Sequence, residues 1–223
     1  MNTGNTAFMM ICTALVFFMT PGLAFFYGGL VRRKNVCNTM MACVAIMGLS
    51  VLLWTMFGYS LSFGGNHAGI IGDFRWAFLN DVGWDAGPYA DTIPHLVFAA
   101  FQMMFAMITP ALITGAVVGR MRFKALFAFI ALWSFLVYYP MAHMVWGEGG
   151  FLAAIGSVDF AGGNVVLWFL PSILAEEKDT RKHLTVSIIF LSLYLELPCS
   201  GSDGLDSMQE VPWRQMDLQP MHL

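Results

Sequence analysis

An all-α, polytopic membrane helix bundle is the fold class this sequence predicts, from three observations. Hydrophobic residues make up 58% of the 223, charged residues only 11% and aromatic residues 15%, far from the makeup of a water-soluble domain. The charges are also bunched, with no Asp, Glu, Lys or Arg in 1–31, 35–72, 92–119 or 125–147. Each of these gaps holds the ~20 apolar residues that a helix needs to cross a hydrocarbon core of ~30 Å. Finally, a backbone in hydrocarbon has to satisfy its own hydrogen bonds, so isolated apolar runs of this length must be helices.

Four spans are therefore expected, near 7–30, 39–62, 95–118 and 125–146. Their orientation follows from the short loops, because Lys and Arg are retained on the cytoplasmic side. Arg32, Arg33 and Lys34 follow the first span, and Arg120, Arg122 and Lys124 join the third to the fourth. Both loops are expected inside. The 63–94 connection carries Asp73, Asp81, Asp85 and Asp91 against Arg75 alone and is expected outside, together with the N-terminus. No basic segment precedes the first apolar run, so Met1–Val31 reads as a span rather than a cleaved signal.

Soluble catalytic chemistry has no foothold here. The sequence shows no nucleotide-binding glycine fingerprint, no paired-cysteine motif and no zinc-type His-Glu-x-x-His helix. Cys12 and Cys43 fall within spans, Cys37 lies by the basic cluster and Cys199 lies in the tail, so no disulfide framework follows. The five histidines are scattered. An enzyme, a metal site, a cofactor and a nucleic-acid partner are all unexpected.

Polar and aromatic side chains concentrate in two places. In the third span, Phe101 and Phe105 are four apart and share one helical face, with Gln102 beside them. The fourth span runs the other way, so Tyr138, Tyr139, His143 and Trp146 rise towards the same leaflet. One reading is an interfacial aromatic belt. The other is a vestibule that recruits a cation, since the face of Trp attracts a small cation by ~0.5–2 kcal/mol or more once water is excluded. Gln102, a polar side chain inside a span, should face other helices or a cavity rather than lipid. Glu148 and Asp159 either add negative potential near the mouth or serve as a solvated loop acid and a helix cap. Gly115 and Gly119 form a small-xxx-small pair that lets a helix approach closely. Pro21 and Pro110 can bend their helices.

Several of these stretches resemble the ammonium transporters, the Amt/MEP/Rhesus group. "TAFMMICTALVFFMTPGLAFFYGGLVRRKNV" is similar to that family's first span and loop, and "AFQMMFAMITPALITGAVVGRMRF" to its third span. "YYPMAHMVWGEGG" is similar to its fourth span and "DFAGGNVV" to the approach to its fifth, so the resemblance covers roughly 5–166. It implies that Trp146 and Phe105 form an external ammonium site, with Phe105 also an outer gate. Phe101, Gln102 and Tyr138 correspond to vestibule or pore-support positions. Asp159 matches an acidic residue below the site with a structural or deprotonating role. It further implies a homotrimer of eleven-span subunits in the plasma membrane, of which this chain supplies four spans and the approach to a fifth. The chemistry suits the substrate: a bare charge in a dry pore costs several kcal/mol or more unless ligands replace water, and ammonium, unlike potassium, can give up a proton.

The sequence departs from the family after Val166. Where the family places the first of two pore histidines, this chain has Leu167 and Trp168. The last 57 residues carry eight acids and four bases, against six and seven in the first 166. From Cys199 onward no helical or strand period is visible, which reads as loop or disorder. A shifted reading frame accounts for this. Taking each original codon as the last base of one residue and the first two of the next, Met208 with Gln209 forces alanine, and Asp203 with Gly204 permits only Trp or Arg. Across Ser200–Val211 the permitted sets include Trp-Phe-Gly-Trp-Phe-Gly-Phe-Asn-Ala-Gly-Ser, similar to a later span of the family. Within Ala175–Lys182 the permitted sets likewise include an Arg-Arg-Lys-Gly-Tyr loop. The expectation is a membrane portion over 1–166 and an out-of-frame tail over 167–223.

Passage of ammonium or ammonia through the bilayer is the leading reading, impaired or lost in a chain truncated in this way. A channel or transporter for another small solute stays open. So does a membrane sensor of ammonium, and the intact relative is open to a cytoplasmic regulatory protein.

Overall fold

Asn2 opens the first helix by capping it: its side chain accepts from the backbone N–H of Gly4 at 2.9 Å and of Asn5 at 3.4 Å. Such a cap contributes about 1 kcal/mol and lets α1 run over Thr3–Leu30, four residues longer at its start than the apolar pattern indicated. The computed structural model describes residues 1–117 and 121–156. Asp159 and the expected tail over 167–223 lie outside the described residues.

A short 3₁₀ turn at Arg33–Asn35 reverses the chain into α2 (Val36–Leu53), which passes through a π turn at Trp54–Gly58 into α3 (Tyr59–Phe63). The connection to the next span holds a small antiparallel hairpin, β1 (Ala86–Gly87) and β2 (Ala90–Pro94). Helix α4 covers His95–Val117. The fourth span repeats the construction of the second: α5 (Phe123–Trp133), a π turn at Ser134–Tyr138, then α6 (Tyr139–Trp146). A single turn, α7, follows at Phe151–Ala154. Among the described residues, four helical segments are thus long and apolar enough to cross a membrane: Thr3–Leu30, Arg33–Phe63, His95–Gly115 and Phe123–Ala154.

Helix α4 is the central span. Its apolar window is 67% buried, against 28% for each of the first two, and it packs on both α1 and α2. Gly115 allows the α1 contact, since a Cβ there would stand 2.4 Å from Cζ of Tyr27, whose hydroxyl donates to the Leu112 carbonyl at 3.2 Å. The small residue that the sequence marked for a close helix approach thus makes room for a ring. Pro21 and Pro110 both sit inside helices that continue past them.

Spans two and four meet at their π turns. A Cβ on Gly58 would lie 2.7 Å from the Tyr139 ring, and Trp54–Tyr139 and Phe57–Phe135 pair at 6.1 Å each. Arg32, Arg33, Lys34, Arg122 and Lys124 are exposed in the two loops at one end of the bundle. At the other end, the Asn2 N–H donates to the Thr92 carbonyl at 2.7 Å, so the N-terminus is tied to the hairpin. We call these the basic end and the hairpin end.

Candidate functional site

The hairpin end is built from aromatic rings. Trp54, Tyr59, Phe63 and Trp76 are buried there with Tyr138 and Tyr139 in one cluster. Tyr59 carries a hydroxyl that buried rings can hold only if it is bonded, and it bonds to Nε2 of His95, the first residue of α4. Trp76 stands edge-on to the same imidazole at 4.9 Å. His95 thereby fastens the start of α4 to the end of the second span.

Of the residues singled out by sequence, Trp146 and Tyr138 belong to this cluster. Tyr138 is buried beside Trp133 and Tyr139, each with ring centroids 5.9 Å away. Trp146 is the last residue of α6, half-buried and packed against the cluster. Phe101 and Phe105 stand edge to face at 5.1 Å in a second cluster, buried against Cys12 and Val16 of α1. Gln102, beside them, is half-buried. Met103 packs against both clusters. The structure therefore pairs Phe101 with Phe105, puts Tyr138 and Trp146 in the other cluster, and links the two clusters through Met103 of α4.

The segment after Trp146 is anchored to the connection between spans two and three. Helix α6 ends as the Gly147 N–H bonds the His143 carbonyl at 2.9 Å. Glycine is required there, because a Cβ would fall 2.6 Å from His143 Nδ1. His143 is fully buried with Nδ1 3.0 Å from the Ser62 carbonyl, which makes it a fastening between spans two and four. Glu148 is exposed, and its N–H donates to the Tyr89 hydroxyl at 3.1 Å. Burial pushes the Tyr89 phenol above its ordinary range, with the Glu148 charge adding to this and the Glu148 N–H opposing it.

Sequence reasoning did not single out Tyr59, Trp76, Tyr89 or Asn66. Each works through a partner far along the chain; Tyr59 and Asn66 stand towards the end of an apolar run, while Trp76 and Tyr89 lie among the charges of the 73–91 stretch. Among the described residues no group of three or more His, Cys, Asp or Glu side chains could hold a metal ion.

A bundle of four apolar spans, with an aromatic, hydrogen-bonded cap at one end and exposed basic loops at the other, defines a polytopic membrane protein. The Ammonium Transporter Family model matches residues 7–169, and the chain belongs to that family. An ammonium transporter of Bacillus subtilis (strain 168) is 51% identical over 166 residues, covering 74% of this chain and 41% of that protein. A putative ammonium transporter of Methanothermobacter thermautotrophicus is 54% identical over 168 residues, again covering 74% and 41%. The crystal structure of Candida albicans Mep2 superposes with a TM-score of 0.65 at 32% identity, over 73% of this chain and 35% of that one. The chain thus spans 41% of the length of these two curated relatives.

Proposed function

We propose that this chain forms the outer part of a passage for ammonium or ammonia across the plasma membrane, with the N-terminus and hairpin end outside. The observation that carries the reading is the placement of Trp146. It ends α6 and packs, half-buried, against the aromatic cluster of the hairpin end. An indole face in a partly desolvated cap attracts a small cation by about 1–2 kcal/mol, and ammonium adds N–H donors that potassium lacks. Trp146 and Phe105 are the recruiting residues, with Phe105 as the outer gate. Phe101, Gln102 and Tyr138 support the vestibule, and Asp159 acts below it.

Translocation needs more than recruitment, because the charge must be ligated or shed before a dry pore. The 223 residues carry neither of the two pore histidines that the family resemblance implies, and residues from about 167 onward read as out of frame. On its own, then, this chain recruits ammonium while its transport is impaired or lost; the intact protein works as a homotrimer, open to a cytoplasmic regulatory partner. The test is uptake of labelled methylammonium by cells without their own carrier, expressing either this chain or the frame-corrected gene. Uptake by the corrected protein that ammonium inhibits and potassium does not, and that falls at least tenfold in Trp146→Leu, supports the reading. Uptake unaffected by Trp146→Leu overturns it.

A further inference from the structure

The five residues that follow Trp146 are fastened to the long connection between spans two and three by three separate bonds. The Glu148 N–H donates to the Tyr89 hydroxyl at 3.1 Å, the Asn66 side-chain amide donates to the Gly149 carbonyl at 2.8 Å, and the Phe151 N–H donates to the Gly69 carbonyl at 2.8 Å. Asn66 serves both sides of the contact, because its Oδ1 accepts the Gly69 N–H at 2.6 Å while its Nδ2 reaches Gly149. Gly149 itself adopts φ 75°, and a Cβ there would lie 2.4 Å from Asn66 Nδ2. The backbone has therefore bent to meet Asn66, in a conformation that favours glycine.

Tyr89 is the junction. Its hydroxyl accepts from Glu148 and donates to the Phe63 carbonyl at 2.8 Å, so one oxygen ties the end of the second span to the segment beyond the fourth. Its ring stacks on Phe98 of α4 with centroids 5.6 Å apart and planes 3° from parallel, and meets Phe63 edge-on at 5.1 Å. Phe98, Phe101 and Phe105 are spaced three and four apart on α4, which puts them along one side of that helix. Through one phenol, the tip of α6 is referenced to the helix that carries the other half of the aromatic site. Trp146, half-buried, immediately precedes this anchored segment.

We infer that Tyr89 and Asn66 are positioning residues for Trp146, clamping the Gly147–Phe151 segment so that the indole stands at a fixed place relative to α4. Neither side chain recognises the cation; both act through the backbone of the residues after Trp146. The inference rests on the ammonium reading for its purpose but not for its geometry.

The test uses the full 223-residue chain with 5-fluorotryptophan in lipid nanodiscs, read by fluorine NMR, with the Trp146 signal assigned from Trp146→Phe. Tyr89→Phe keeps the stacked ring and removes only the hydroxyl; Asn66→Ala removes the second clamp; Tyr27→Phe, at the buried bond to Leu112, is the control for losing any buried phenol hydroxyl. Without ammonium, Tyr89→Phe and Asn66→Ala should each displace or broaden the Trp146 signal and leave those of Trp54 and Trp133 in place, whereas Tyr27→Phe leaves all three unmoved. With ammonium chloride added against a sodium chloride background, half-saturation of the Trp146 shift should rise about three- to tenfold in both clamp variants, the effect of one lost hydrogen bond. An unmoved Trp146 signal in a folded Tyr89→Phe overturns the inference, as does one in a folded Asn66→Ala if Tyr89→Phe does not fold. A wild-type Trp146 signal that ignores ammonium refutes the recruitment reading instead, and the ammonium-free spectra still decide the clamp.

Discussion

Gly58→Ala separates packing from helix propensity within one span. The φ of Gly58 is −60°, helical and open to any residue, so the backbone offers alanine no resistance. Alanine should even favour the helix by about 0.5–1 kcal/mol over glycine. Against this stands the Tyr139 ring, whose Cε1 and Cζ would lie 2.7 Å from the new methyl, about 1 Å inside a normal carbon contact of 3.5–4.0 Å. Tyr139 has little room to yield, being buried and bounded by Trp54 at 6.1 Å, Phe135 at 5.4 Å and Tyr138 at 5.9 Å. Forcing a methyl into such a place costs about 1–3 kcal/mol, and a rigid ring puts this contact in the upper part of that range. The net expectation is a loss of about 1–2 kcal/mol. Gly48 is the internal control: it lies in the same span, and a Cβ there meets nothing within 4 Å, so Gly48→Ala should leave stability unchanged or raise it slightly. Reversible unfolding in mixed detergent micelles, followed by helical circular dichroism, gives both values. Two variants of equal stability would refute the claim that the π turns of spans two and four are in tight contact.

Gly149→Ala meets two obstacles, a positive φ and the Asn66 amide, and should cost about 1–3 kcal/mol; hydrogen exchange should then accelerate at the Phe151 amide, where the neighbouring bond to Gly69 is made. The alkaline limb of stability should depend on Tyr89. Its phenol is raised in the folded chain, so folding favours the protonated form: the contribution is complete below the ordinary tyrosine value of about 10 and falls as pH rises from there towards the folded value. Melting curves between pH 9 and 12 should show wild type losing more stability than Tyr89→Phe, and parallel curves would refute this (about pH 10 is where they should begin to diverge).

The spans were legible because their cause is local. An apolar run of about 20 residues in hydrocarbon has no alternative to a helix, and the observed segments differ from the expected ones by a few residues at their ends. At Thr3 the difference has a definite source, the cap provided by Asn2. The π turns were not legible, since one extra residue per turn is set by what the helix packs against; Gly58 in span two and Pro140 just after the turn of span four were the traces, and Gly58's partner Tyr139 lies 81 positions on. The pairing of Phe101 with Phe105 could be read from their spacing, but their packing against Cys12 and Val16 could not, because helical period fixes which residues share a face and not what that face meets. Asn66 and Tyr89 were hidden for a related reason. Their partners are backbone groups of Gly69, Phe63, Glu148 and Gly149, and a backbone group carries no residue identity to recognise.

In the proposed site, the α4 pair and Trp146 rest on different foundations, and this bears on how the site tolerates change. Phe101 and Phe105 take their position from the packing of α1 on α4, an apolar contact with many small contributions. Such contacts yield gradually, since losing one methylene group changes a buried site by only about 1 kcal/mol. In the proposed clamp, Trp146, beyond its packing on the aromatic cluster, takes its position from a few hydrogen bonds that the residues after it make to the connection between spans two and three. Those are directional, and each is either made or absent. Long connections between spans are otherwise the part of a membrane protein freest to vary. Here the connection reaches both the start of α4, through Trp76 against His95 and Tyr89 on Phe98, and the segment after α6, through Tyr89 and Asn66. On the proposed reading, it is the element that relates one half of the site to the other, so the separation of Trp146 from the α4 aromatics depends on residues outside the helices that carry them.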